Sequence, residues 1–176
     1  MWMRIAVIML LTGPGADAAV KVEPNGFSVQ EELTINVPPQ KVYESLLTKV
    51  GEWWDPEHTY SGDSKNLSIE QRPGGCFCEK FPKGGGVEHM RVVYLSPYNT
   101  VVMSGALGPL QTSGLAGALT WQLSGDGTGT KLKLQYVVGG YMVGGFEKMA
   151  PGVDAMLTEQ INRLKLYVET GKASAK

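Results

Sequence analysis

An α+β domain is predicted, in which a curved, seven-stranded antiparallel sheet wraps around one long C-terminal helix. Three observations predict it. Apolar and polar residues alternate through most of the chain, and glycine and proline clusters separate the alternating segments. Near the C-terminus the spacing between apolar residues changes from two to three and four. With 43% apolar and 19% charged residues, the composition is that of an ordinary globular domain.

The first strand covers residues 27–37, where apolar residues point one way and Glu31 is the exception on the apolar side. Pro38 ends this strand, and Pro39 is suited to open a helix that runs through Leu47. A second short helix is predicted over residues 49–54. Two short helices therefore follow the first strand.

The middle of the chain is predicted to consist of six further strands, with turns between them. Gly125, Asp126 and Gly127 indicate a tight hairpin between the last two strands. The apolar rows of these two strands are expected to meet on the buried side. The six strands cover residues 67–70, 76–80, 87–95, 100–107, 118–123 and 130–138.

The C-terminal segment predicts an amphipathic helix of about six turns, which Gly171 ends. The residues after it, 172–176, are expected to fray. Only this helix is long enough to cover the apolar face of the sheet. Because a sheet this wide must curl around one helix, we expect an apolar cavity of ligand size near one end. The apolar stripe consists of Phe146, Met149, Val153, Met156, Leu157, Ile161, Leu164 and Val168.

Residues 1–18 have the layout of a cleavable signal peptide. Arg4 is followed by a short apolar run over residues 5–11, and cleavage is expected after Ala18. The alternative, a buried first strand, would be broken at once by residues 12–15. Residues 19–26 are then a linker to a domain of residues 27–171, in the periplasm or secreted. No other stretch is long and apolar enough to span a bilayer, and a net charge of −1 gives no reason to expect nucleic acid as a partner.

Four short stretches carry a family resemblance: residues 37–43, 73–75, 96–97 and 129–132. On them the chain resembles the SRPBCC superfamily, which includes START lipid-transfer domains, polyketide cyclases and activators of a heat-shock ATPase. The resemblance covers residues 27–170. It is closer still to a bacterial branch whose members carry generic names, on residues 74–79, 107–111, 139–141, Gln160 and 163–165. The resemblance implies a helix-grip fold with a cavity for a hydrophobic or amphipathic small molecule, and no shared catalytic motif.

Cys76 and Cys78 are the two cysteines, and their spacing on a strand puts both side chains on one face. Three interpretations stay open: small apolar residues of the core or cavity wall, a strained or redox-active disulfide, and metal ligands. For a metal, His89 on a neighbouring strand and His58 in a loop would complete a tetrahedral set. The spacing is not a usual zinc-finger spacing, so no metal or other cofactor is predicted.

Aromatic residues supply most of the candidate ligand contacts. Trp53 and Trp54 lie near the expected mouth of the cavity, where one could pack in the core and the other stack on a ligand. Trp121 is better suited to the core, whereas Tyr141, among glycines before the helix, is better suited to a ligand. The full candidate set for ligand binding is Trp53, Trp54, Cys76, Cys78, His89, Met103, Trp121, Tyr136 and Tyr141.

The chemistry beyond binding is open at the level of sequence. Glu79, Glu88 and Arg91 are strand charges, and any that faced inward would become an acid–base or anchoring candidate. Phosphate-loop, dinucleotide and nucleophile-elbow motifs are absent, and no catalytic residue is assigned. The first hypothesis is an exported binding protein for a hydrophobic or aromatic small molecule. A cyclase or aromatase with a pocket Tyr, His or Glu, and a protein-interaction module, are the alternatives.

Overall fold

The computed structural model describes residues 20–125, 127 and 129–174, which form one curved antiparallel sheet and a long C-terminal helix. The prediction of an α+β helix-grip fold is confirmed. The strand order is β1-β2-β8-β7-β6-β5-β4-β3. The strands are β1 Val20–Glu23, β2 Gly26–Ile35, β3 Leu67–Ile69, β4 Cys76–Lys80, β5 Gly86–Ser96, β6 Thr100–Ser104, β7 Leu115–Gly125 and β8 Thr130–Gly140. The helices are α1 Pro39–Thr48, α2 Val50–Trp53 and α3 Ala150–Thr170.

The sheet has eight described strands where seven were predicted. The additional strand is β1, which pairs with β2 and lies within the stretch expected to be a linker. Four residues with a single alternation are too few to separate a strand from a linker by pattern alone. The predicted signal peptide, its cleavage after Ala18, the hairpin residue Asp126 and the end of the tail lie outside the described residues.

Helix α3 crosses the concave face of the sheet and buries its apolar stripe there. Its 21 residues correspond to about 32 Å, enough to reach across the strands. Pro151 lies in its first turn, and Gly171 ends it with a positive φ of 80°. In the part of the chain that is described, no helix has the length and apolar character needed to cross a membrane.

The inward rows of β7 and β8 meet in the core, as predicted, and are completely buried. Glu31, the exception of the first strand, faces α3. Burial raises the pKa of Glu31, and the nearby Asp154 carboxyl raises it further, while a hydrogen bond with Thr158 opposes the shift. The inward carboxyl therefore has polar partners on the helix.

Strand β5 carries a bulge that matters for the site. Phe77 pairs with Met90 and Cys78 pairs with Glu88, so His89 is an extra residue opposite β4. Because a bulge interrupts the two-residue alternation, His89 and Met90 are both buried although they are neighbours in sequence. The bulge therefore turns the His89 side chain to the interior.

Candidate functional site

A cleft of about 370 Å³ lies beside the N-terminal half of α3. Its walls come from the loop after α2, from β5, from the 3-10 turn Gly108–Ser113 and from α3 itself. Most of the lining is apolar, with two exposed polar residues at the mouth. The lining residues are Trp54, Glu57, His58, Thr59, Tyr60, His89, Leu107, Gly108, Pro109, Leu110, Met149, Gly152, Val153 and Met156.

The loop wall of the cleft is fixed by hydrogen bonds to α3. The Asp55 backbone N–H donates to Gln160 Oε1 at 2.9 Å, and Arg163 Nε donates to the Trp53 carbonyl at 3.0 Å. Trp54 Nε1 donates to the carbonyl of His58, at 3.1 Å. The Trp54 ring is thereby held in the wall.

The 3-10 turn Gly108–Ser113, which forms another wall of the cleft, is positioned by Tyr136. Burial raises the pKa of Tyr136 to about 12, so its hydroxyl keeps its proton. The hydroxyl accepts a hydrogen bond from the Leu107 backbone N–H at 2.9 Å and donates to the Gly105 carbonyl at 3.3 Å. Leu107, which precedes this turn, is therefore tied to Tyr136 on the central strand β8.

Glu79 is a buried carboxylate behind the cleft, with 1% of its surface exposed. The Tyr60 N–H donates to Oε2 at 3.0 Å, the Ser61 N–H donates to Oε1, and His89 Nε2 lies 3.0 Å from Oε2. Burial by itself would raise the pKa of Glu79, but these hydrogen bonds outweigh it and hold the pKa below the ordinary 4.5. Glu79 is therefore ionised at neutral pH.

His89 lies between Glu79 and the cleft and is 6% exposed. The Tyr60 ring stacks on it with 6.0 Å between ring centroids, and the Phe77 ring lies 5.2 Å away. Burial lowers the pKa of His89 below the ordinary 6.5, although Glu79 acts in the opposite direction. The imidazole is therefore neutral at neutral pH, with a carboxylate bonded to one nitrogen.

This pair makes stability dependent on pH. The native pKa of each group lies below its unfolded value, so the unfolded chain binds more protons in acid and stability falls as the pH drops. As the pH falls, the loss of stability begins near pH 6.5 for His89 and near pH 4.5 for Glu79. Each proton contributes at most about 1.4 kcal/mol per pH unit. Urea unfolding at several pH values between about 7.5 and about 5 measures the slope.

His89→Gln is expected to flatten that slope above pH 4.5, because glutamine does not titrate there. An unchanged slope in His89→Gln would mean that His89 is not the group that takes up the proton.

A second cluster of polar side chains lies at the mouth of the cleft. Arg163 Nη1 is 3.4 Å from Asp55 Oδ2, and His58 Nδ1 is 4.0 Å from Glu159 Oε2. Burial would raise the pKa of Asp55, but hydrogen bonds with Glu159 and Glu57 and the Arg163 charge lower it; the bond with Asp55 raises the pKa of Glu159. Asp55, His58 and Glu159 could reach one cation, but Arg163 already supplies a positive charge there.

The two cysteines form a disulfide and lie on the opposite face of β4 from the cleft. They alternate with Phe77 and Glu79, which point inward. Their Cα atoms are 5.3 Å apart, shorter than the spacing of about 6.6 Å in a regular strand, and this lets the parallel side chains meet. The interpretation of Cys76 and Cys78 as small apolar residues of the core or cavity wall is therefore wrong. The suggested metal set with His58 and His89 does not converge.

Of the predicted ligand contacts, Trp54 and His89 lie in the wall of the cleft. Trp53, Met103, Trp121 and Tyr136 are buried in the core, where Trp53 contacts Trp121 edge to face. Tyr141 lies in the loop before α3, is 78% exposed and does not line the cleft. Its glycine neighbours have no side chains to enclose it.

Glu79 was absent from the predicted contacts, although the sequence contained the signal that places it. It lies two residues after Phe77 on β4, so an inward Phe77 implies an inward Glu79. The loop residues Thr59 and Tyr60 carried no pattern that could place them in the wall. Met149, Val153 and Met156 were predicted as the apolar stripe of the helix, and their N-terminal position puts them at the cleft.

Comparison with known proteins gives matches of structure but not of sequence. No protein-family model matches the chain, and no curated protein matches it. The Aha1 dimer from Colwellia psychrerythraea has 21% identity and a TM-score of 0.62, over 82% of this chain and 98% of its own. DynU16, a protein of the dynemicin biosynthetic locus, has 18% identity and a TM-score of 0.58. The match covers 85% of this chain and 49% of DynU16.

CalU16 from Micromonospora echinospora is a further structural neighbour, with 15% identity and a TM-score of 0.53, over 87% of this chain and 85% of its own. These neighbours have SRPBCC or polyketide cyclase-like folds. The chain shares that fold.

Proposed function

We propose that this protein is an exported member of the SRPBCC superfamily that binds a hydrophobic or aromatic small molecule in the cleft. The observation that carries the proposal is the cleft itself. A volume of about 370 Å³ with a mostly apolar lining and one buried polar pair is typical of small-molecule sites. A two-ring aromatic molecule fits that volume.

The shape of the lining supports an aromatic or other flat ligand. Trp54 and Tyr60 contribute ring surfaces from one loop, while Met149 and Met156 contribute adaptable thioether side chains from α3. Burial of apolar ligand surface against these side chains provides the driving force for binding. The exposed polar residues Glu57 and His58 complete the lining.

Two further observations support parts of the proposal. DynU16 belongs to the dynemicin biosynthetic locus, which is consistent with small-molecule chemistry on this fold. The Cys76–Cys78 disulfide favours an oxidising compartment, in agreement with the signal-peptide layout of residues 1–18. The first observation supports small-molecule binding, and the second supports export.

A cyclase- or aromatase-type enzyme is the second candidate. The Glu79–His89 pair favours it, because two titratable groups converge at the wall of the cleft, and an acid–base mechanism needs such groups. Turnover of a polyketide-like substrate that stops in a His89→Gln variant would support the enzyme; binding without turnover would support the carrier.

Gly152→Phe is expected to weaken ligand binding at least tenfold without unfolding the protein. A Cβ at Gly152 would meet no atom within 4 Å, and Gly152 lines the cleft, so the phenyl ring would occupy the ligand volume. We expect at least tenfold weaker binding of 2-methoxynaphthalene, measured by the change in its fluorescence on leaving water. The melting temperature should not fall, because glycine is a poor residue for a helix.

Ala155→Phe is the matched control, since Ala155 is exposed on the same helix and lies outside the cleft. It should bind the probe as the wild type does. Equal affinity in Gly152→Phe and the wild type, or no binding of any apolar probe to the wild type, would refute the proposed site.

A further inference from the structure

We propose that the cleft selects a ligand that carries a hydroxyl group, a phenol or an enol, which donates a hydrogen bond to Nδ1 of His89. The inference rests on the proposed function, because it specifies the ligand of that same cleft. It follows from the hydrogen bonds of Glu79, the position of His89 in the wall and the apolar side chains around it.

The first step concerns the proton on His89. Glu79 accepts hydrogen bonds from the backbone N–H groups of Tyr60 and Ser61, and the carboxylate has no proton to donate. The close contact between Oε2 and His89 Nε2, at 3.0 Å, therefore requires the proton on Nε2. In the neutral ring, Nδ1 is then a hydrogen-bond acceptor.

The second step concerns where Nδ1 can find a donor. It makes no hydrogen bond with any residue of 20–125, 127 or 129–174, and it is not among their fully buried unpaired polar atoms. Since His89 lines the cleft and its Nε2 is bonded to Glu79, Nδ1 is the polar ring atom available to a ligand. A carbonyl or ether oxygen could not donate to it, whereas a hydroxyl could.

The third step concerns the strength of that contact. Tyr60 and Phe77 hold the imidazole in place by their rings, and Gln111 Nε2 donates to the backbone carbonyl of Glu88, beside His89. A fixed acceptor in an apolar wall loses little freedom when it binds a donor. The carboxylate behind it also stabilises any positive charge that develops on the ring as the hydroxyl proton moves toward Nδ1.

The test compares two probes that differ in one group. 2-Naphthol can donate to Nδ1, whereas 2-methoxynaphthalene has the same rings and oxygen but no donor. We expect the wild-type protein near neutral pH to bind 2-naphthol roughly tenfold more tightly, in titrations followed by naphthalene fluorescence. Equal affinity for the two probes would overturn the inference.

His89→Gln tests the assignment to Nδ1. The glutamine amide can donate to Glu79 in place of Nε2, but its carbonyl oxygen can still accept a hydrogen bond from a ligand. His89→Phe, which keeps a flat ring and has no acceptor, is therefore the decisive second variant. In His89→Phe the ratio of the affinities for 2-naphthol and 2-methoxynaphthalene should fall to about one, whatever the change in the affinity for both. A preference for 2-naphthol that survives in His89→Phe would assign the hydroxyl to another group and overturn the inference.

The two proposals fail in different ways. If the wild type binds neither probe, the proposed function fails. If it binds both equally, and Gly152→Phe abolishes both, the cleft is a binding site but His89 does not select the hydroxyl.

Discussion

Glu79→Ala is expected to lower the free energy of unfolding by about 3–5 kcal/mol. Its side chain is buried, and its two oxygens accept hydrogen bonds from the backbone of Tyr60 and Ser61 and contact His89. Alanine would leave the buried His89 Nε2 and the two part-buried backbone N–H groups without their acceptor. The cost is that of unpaired buried polar groups, in addition to the lost packing.

Urea unfolding of the wild type and of the variant measures the difference. Glu88→Ala is the matched control, because Glu88 is an exposed strand carboxylate next to His89 and its ion pair is with Arg91. It should cost less than about 0.5 kcal/mol. A loss of that small size in Glu79→Ala would mean that the carboxylate is solvated and that the loop around Tyr60 is not held by it.

Trp53→Ala is expected to cost about 3–5 kcal/mol of stability by opening a large cavity. Trp53 is 1% exposed, contacts Trp54 and Trp121 by its ring, and donates from Nε1 to the Ser45 carbonyl at 3.1 Å. These contacts join α1 and α2 to the sheet. The melting temperature should fall by roughly 6–20 °C for a domain of this size.

Tyr141→Ala is the aromatic control. Because Tyr141 is mostly exposed, its removal should change stability by less than about 0.5 kcal/mol. It should also leave probe binding unchanged, since Tyr141 lies outside the cleft. Weak binding in Tyr141→Ala would restore it as a ligand contact, and a small stability change in Trp53→Ala would contradict its place in the core.

The periodicity of the sequence was sufficient to predict the architecture because burial determines it. The alternation in β7 and β8 and the helical spacing of α3 each select one buried face, and those faces meet in the structure. Pro39 begins α1 with a fixed backbone angle and Gly171 ends α3 with a positive φ, so the helix boundaries were close to the prediction. Strand β1 was missed because four residues give too short a pattern.

The site was harder to predict because it depends on departures from periodicity. The His89 side chain points inward through a bulge, and a bulge has no sequence signature that fixes its position. The disulfide depends on a local shortening of β4 that regular strand geometry does not contain. Tyr60 reaches His89 from a loop, and nothing in a loop's composition predicts such a contact.

The central claim is that the cleft beside α3 holds an apolar molecule whose hydroxyl meets His89. A crystal structure of the protein grown with 2-naphthol tests it most directly. We predict naphthalene density among Trp54, Val153 and Met156, with the hydroxyl oxygen about 3 Å from Nδ1 of His89. Density outside the cleft, or a cleft filled by its own side chains with no room for the rings, would contradict the account.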